Sequence, residues 1–201
     1  KVLRQTYILL AMNVLFSAVC AYLGMRLGIG RIPPALALIG IFALSWAVSA
    51  NRNNGLGIVL LFAFTGGLGF YLSAYLSLLM GVGMGSIIVK ALVGTAILFF
   101  GLSAYVLFSG VNFSFLGGFL YTGIMVAFLA SIGGWVFGMS ALSLAASAAF
   151  LVISSGYVLY NTSNIIQGEE TNYIMATMDL FINIFNMFVS LLNILSAFNR
   201  N

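Results

Sequence analysis

The sequence predicts an all-α integral membrane protein, a seven-transmembrane helical bundle with almost no mass outside the bilayer. Composition, charge and periodicity each lead to that class. Of the 201 residues, 63% are hydrophobic and 5% are charged, and the mean hydropathy is +1.18. A soluble domain carries about 25% charged residues to coat its core with solvated groups. Seven basic and three acidic residues cannot supply that coat, so lipid is the solvent for most of the surface. Backbone amides in lipid must be satisfied internally, which leaves helical bundles or closed barrels. Barrel strands alternate apolar and polar residues, and stretches such as Ile8 to Leu15 or Ile87 to Phe100 do not.

Seven apolar segments separate at polar or Gly/Pro punctuation. The first is Val2–Met25; its apolar stretch from Thr6 to Leu23 is longer than a signal-peptide core and lacks a convincing cleavage site, so it reads as a retained helix. Because the chain opens on Lys1, a preceding N-terminal piece is expected. After Arg26–Pro33 comes Pro34–Ala50, short for a span that needs about 20 residues. Polar Asn51–Gly55 then leads into Leu56–Met80, and Gly81–Gly85 into Ser86–Phe108. Ser109–Asn112 precedes Phe113–Phe137. Gly138–Met139 is the weakest break, since fusing the segments on either side of it would leave six spans. Ser140–Ile165 follows, then Ile166–Thr171 with Glu169 and Glu170, and finally Asn172–Phe198. The loops are too short to fold alone, so residues 1–201 are read as one domain.

The charges exclude several function classes. Lys1, Arg4, Arg26, Arg31, Arg52, Lys90 and Arg200 are scattered and mostly sit at the ends of apolar runs, where long side chains snorkel to the headgroups. Nucleic acid is therefore not an expected partner; the lipid bilayer is. Cys20 is the sole cysteine and there is no histidine, so neither a disulfide nor a soft-metal site is expected, and Cys20 reads as a small core residue. With no nucleophile–base pair, metal cluster or cofactor motif, neither an enzyme nor a bound cofactor is expected. The positive-inside rule leaves orientation open: Lys1, Arg4 and Arg52 fall on one side, and Arg26, Arg31, Lys90 and Arg200 on the other. Glycines such as Gly66, Gly67, Gly69, Gly117, Gly118, Gly133 and Gly134 read as close-packing positions in preference to gating hinges.

The last segment carries Asn172, Asp179, Asn183, Asn186, Ser190 and Asn193. At about 100° per residue all six lie within roughly 40° of Asp179. Such a face cannot look into lipid and must meet other helices or water. The opposite face, with Phe181, Ile184, Phe188 and Leu195, is apolar, yet a helix surrounded on all sides fits the same pattern. The preceding segment aligns Ser140, Ser143, Ser147, Ser154 and Asn161. Asp179 is the only acid within any span, which makes it a candidate ion- or proton-binding group set against a plain role as polar glue. Glu169 and Glu170 read as a solvated loop, short of the six to eight oxygens that calcium takes.

Longer strings add a resemblance. Ser114-Phe115-Leu116-Gly117-Gly118, Ile153-Ser154-Ser155-Gly156, Thr162-Ser163-Asn164-Ile165-Ile166 and Gly168-Glu169-Glu170-Thr171-Asn172-Tyr173-Ile174 are similar to the bacterial branch of the Bax inhibitor-1 family. Lys1-Val2-Leu3-Arg4-Gln5-Thr6-Tyr7 and Ala63-Phe64-Thr65-Gly66 extend the match over nearly the whole chain. The resemblance implies seven helices with the last one central, a bacterial inner-membrane location and a cytoplasmic N-terminus. It also implies one of two activities. Some members bind and modulate FtsH, a hexameric ATP-dependent membrane protease, as regulator and candidate substrate. Others are pH-sensitive calcium leak channels that use paired aspartates on the last two helices, with calcium or protons as the ions. Here the second aspartate of that pair falls on Asp179 but the first on Asn161, so a shared-proton carboxylate dyad is not formed. The family's basic latch is displaced too, with Arg52 as its candidate and Ser49 one turn earlier.

Overall fold

The computed structural model describes residues 1–28 and 33–199, without the side chains of Pro34 and Ala35. Arg31 and Arg200, expected at helix ends, lie outside the described residues. Among the described residues there is no strand. The helices are α1 (Val2–Leu27), α2 (Pro34–Ala50), α3 (Gly55–Gly81), α4 (Gly85–Ser109), α5 (Gly117–Val136), α6 (Ser140–Gln167) and α7 (Tyr173–Asn199), with a 3₁₀ turn at Ser114–Leu116 before α5. Six of these are long and apolar enough to cross a membrane, and the 17-residue α2 is the short one.

The seven expected segments thus appear in order, each within a few residues of its anticipated bounds. The weakest break is real. Gly138 takes φ 63°, a left-handed conformation that a glycine adopts without steric cost, and α5 ends there instead of running on into α6. Gly168 does the same for α6 at φ 79°, returning its N–H to the carbonyl of Asn164.

The chain divides into two compact units, Lys1–Gly85 with Thr171–Phe181 and Ser86–Glu170 with Ile182–Asn201, so that α7 contributes to both. In the first unit α1 and α3 run parallel along a seam of small residues. Asn13 meets Thr65, Gly69 lies against the main chain of Ser17, and Gly24 lies against Ser73. Small side chains let helix backbones approach, which is how bundles cohere in lipid, where no hydrophobic force drives helices together.

A polar pair sits within this seam. Asn13 is fully buried; it accepts a hydrogen bond from Thr65 Oγ1 at 2.9 Å and donates to the Leu9 carbonyl at 2.8 Å. Asn13→Ala is expected to destabilise the protein by about 1 kcal/mol, the usual scale of an interhelical hydrogen bond in a membrane protein. Equilibrium unfolding in detergent measures it, and an unchanged stability would show the pair to be inert.

In the second unit α5 and α6 pack through Leu120, Ala127 and Ile153. Gly134 of α5 lies against the main chain of Ser143, and Gly94 of α4 lies beneath Leu191 of α7. The connection ahead of α5 is pinned by Ser163, whose Oγ accepts the N–H of Phe113 at 2.9 Å.

Candidate functional site

The candidate site is built along α7, and its first turn explains how the helix is placed. Asn172 caps α7: its Oδ1 accepts the N–H groups of Ile174 at 3.0 Å and Met175 at 3.1 Å. Its Nδ2 donates to the Arg52 carbonyl at 2.9 Å and to Asn53 Oδ1 at 3.0 Å. Asn172, read in the sequence as the first member of the polar stripe, therefore fixes the start of the helix against the loop between α2 and α3. One turn on, Thr177 Oγ1 donates to the Tyr173 carbonyl at 2.7 Å and to the Thr6 carbonyl of α1 at 3.3 Å.

Beyond that anchor lies the polar stripe. Asp179 is half-buried in the first unit, and six residues of helix put it about 9 Å beyond Tyr173. Asn183 and Ser190 are buried, and Asn186 and Asn193 half-buried. From Tyr173 to Ala197 no residue of α7 is exposed, and Phe181 and Phe188 on its apolar side are buried as well. Protein therefore covers both faces of the helix, and the stripe does not look into lipid.

The α6 stripe is covered only in part. Ser140 and Ser143 are exposed in the first turn, whereas Ser147 and Ser154 are buried and Asn161 is half-buried. Asn193 Nδ2 donates to Ser147 Oγ at 3.3 Å, and Ser147 donates in turn to the Ser143 carbonyl at 3.1 Å. The two stripes thus meet within the second unit. Asn161 lies six residues, about 9 Å, before the end of α6, a depth below its helix end equal to that of Asp179. Arg52, the candidate latch, is exposed in the loop that follows α2, with its carbonyl held by Asn172.

At the far end of α1, Arg26 leans over the Tyr22 ring, 5.2 Å from its centroid, and donates from Nε to the Tyr22 hydroxyl at 2.9 Å. This is a snorkelled arginine held by an interfacial aromatic. Among the described residues no three His, Cys, Asp or Glu side chains gather as metal ligands. An apolar cleft of about 500 Å³ between α5 and α6, lined by residues such as Phe119, Gly123, Ala146 and Ile153, carries no ionisable group. Sequence reasoning missed Asn13 and Ser163. The signal for Asn13 was an amide in the middle of the first apolar run; Ser163, near a helix end, gave none.

Comparison with known proteins extends these findings. The family model described as "Inhibitor of apoptosis-promoting Bax1" matches residues 1–200. A protein of Escherichia coli (strain K12) named "Modulator of FtsH protease YccA" is 44% identical over 201 residues, covering 100% of this chain and 92% of the relative. The same identity and coverage hold for "Inner membrane protein YccA" of E. coli O6:H1. An uncharacterized protein of Pseudomonas aeruginosa is 43% identical over 194 residues, 96% of this chain and 87% of its own length.

Proposed function

The chain belongs to the Bax inhibitor-1 family, and on that premise we propose that it is a non-enzymatic regulator that binds the FtsH protease and modulates it. In this reading it resides in the bacterial inner membrane with its N-terminus in the cytoplasm. The observation that carries the proposal is 44% identity, along the whole chain, to a protein named as a modulator of that protease. Asn172 caps α7 and Asn193 donates to Ser147 of α6. Co-purification tests the binding step: tagged full-length protein should retain FtsH in mild detergent, and an unrelated seven-helix membrane protein should not. Retention no greater than that of the unrelated protein would reject it.

A second reading is favoured by one observation. Asp179 is the only acid within a span, and it is half-buried on a helix with no exposed residue from Tyr173 to Ala197. Intramembrane carboxyls mark ion and proton pathways. In this reading Asp179 is a weak calcium- or proton-sensing group.

A further inference from the structure

We propose that the connection between α4 and α5 is a membrane-interface anchor, whose exposed aromatic side chains seat at the boundary between lipid headgroups and acyl chains. Depth is the first observation. In the antiparallel α5–α6 pair, Gly134 lies against Ser143, Gly123 against Ile153 and Gly117 against Tyr160. That register leaves the end of α5 nearly level with the start of α6. At the other end α6 runs on from Tyr160 to Gln167, so α5 begins about 10 Å short of it. The connection fills this step. Ser163 of α6 accepts the N–H of Phe113 at 2.9 Å and donates to the Val111 carbonyl at 3.5 Å. The first charges, Glu169 and Glu170, come only in the turn beyond that end of α6.

Chemistry is the second observation. No charged residue occurs from Ala91 to Gly168. Within that stretch Phe108, Phe115 and Phe119 are 92%, 74% and 72% exposed, a surface that water disfavours and lipid accepts. Tyr105 and Tyr121, also exposed, flank them, and amphipathic rings of this kind sit at the headgroup level. Phe113 stacks on Phe115 with ring centroids 6.3 Å apart and meets Tyr105 at 6.1 Å. The backbone is spared water as well. The N–H of Gly110 goes to the Val106 carbonyl, that of Val111 to Ser109 Oγ, that of Ser114 to Asn112 Oδ1 and that of Leu116 to the Phe113 carbonyl. Non-helical backbone at membrane depth needs such internal partners. A headgroup layer is about 5–8 Å deep on each side of the hydrocarbon, so the step below the end of α6 reaches its inner boundary. The anchor sets the depth of α5, whose buried residues form a single seam of Leu120, Ala127 and Gly134.

Fluorescence of single-tryptophan variants of the full chain in phosphatidylcholine vesicles tests the proposal. Trp46 and Trp135, both exposed, are first replaced by phenylalanine. Into that background go Phe115→Trp and, as an independent reporter, Phe108→Trp. Met125→Trp in the middle of α5 and Glu169→Trp beyond α6 serve as references. Each reporter exchanges one exposed aromatic ring for another, and an unfolding midpoint equal to that of the parent checks that the fold is kept. Both reporters should lose more emission to lipid brominated near the glycerol backbone than to lipid brominated near the chain end, and little to aqueous iodide. Met125→Trp should show the reverse lipid order, and Glu169→Trp should be quenched by iodide. Iodide quenching of the reporters as strong as that of Glu169→Trp would overturn the proposal by placing the connection in water. Protection from both quenchers would overturn it too, because protein and not lipid would then cover the surface.

Discussion

Gly69→Ala is expected to lower the unfolding midpoint sharply, while Gly67→Ala, two residues away on the same helix, leaves it unchanged or slightly raised. A Cβ at Gly69 would stand 2.9 Å from Ser17 Oγ and 3.0 Å from the Ser17 carbonyl carbon, and closer still to the carbonyl oxygen. Two of the three opposing atoms are main chain, so a change of the Ser17 rotamer does not relieve the clash and α1 must move away from α3. Overpacking of this kind costs about 3 kcal/mol, and separation also strains the Asn13–Thr65 bond in the same seam. Gly67 is exposed, and the nearest atom to its added Cβ is Leu44 Cδ1 at 4.0 Å, an ordinary contact. Thermal unfolding of both variants in one detergent measures the contrast. Equal midpoints would mean that the close approach of α1 and α3 contributes little to stability.

Asp179→Asn should remove all pH dependence from any cation flux through the protein, because it deletes the only carboxyl within a span. Asn161→Asp should act in the opposite sense. It introduces the aspartate that the family resemblance implies at that position, adds a second carboxyl within the spans and is expected to strengthen cation binding. Calcium flux into protein-only liposomes, followed across a range of pH, reads both variants against wild type. If Asp179 is polar glue, Asp179→Asn keeps its hydrogen-bonding capacity, and stability and flux stay as they were. Wild-type flux absent at every pH would remove the leak reading.

Helix number and order were legible in the sequence because each end carries its own chemical punctuation. Pro34 opens α2, Gly138 and Gly168 close α5 and α6 in left-handed turns, and Asn172 caps α7. The coverage of α7 was legible because an amide-rich face is too costly to place in lipid. What the stripe could not reveal is how its members divide. Angular position alone groups Asn172 with Asn193, yet one is a helix cap and the other an interhelical donor. Ser140 and Ser143 share the angle of Ser147 but are exposed, because periodicity fixes a face and not the depth at which a neighbour begins to cover it. The seam of α1 and α3 was half legible: the glycines were read as packing positions, while the facing Ser17, Cys20 and Gly24 are ordinary small residues until the two helices are brought together.

Regulation of FtsH is tested most directly by the half-life of a membrane protein that this protease degrades, measured by pulse–chase while the full-length protein is overproduced. A lengthened half-life is predicted, with FtsH abundance unchanged and the overproduced protein recovered in the membrane fraction. A half-life that does not change under those conditions would contradict the proposed function.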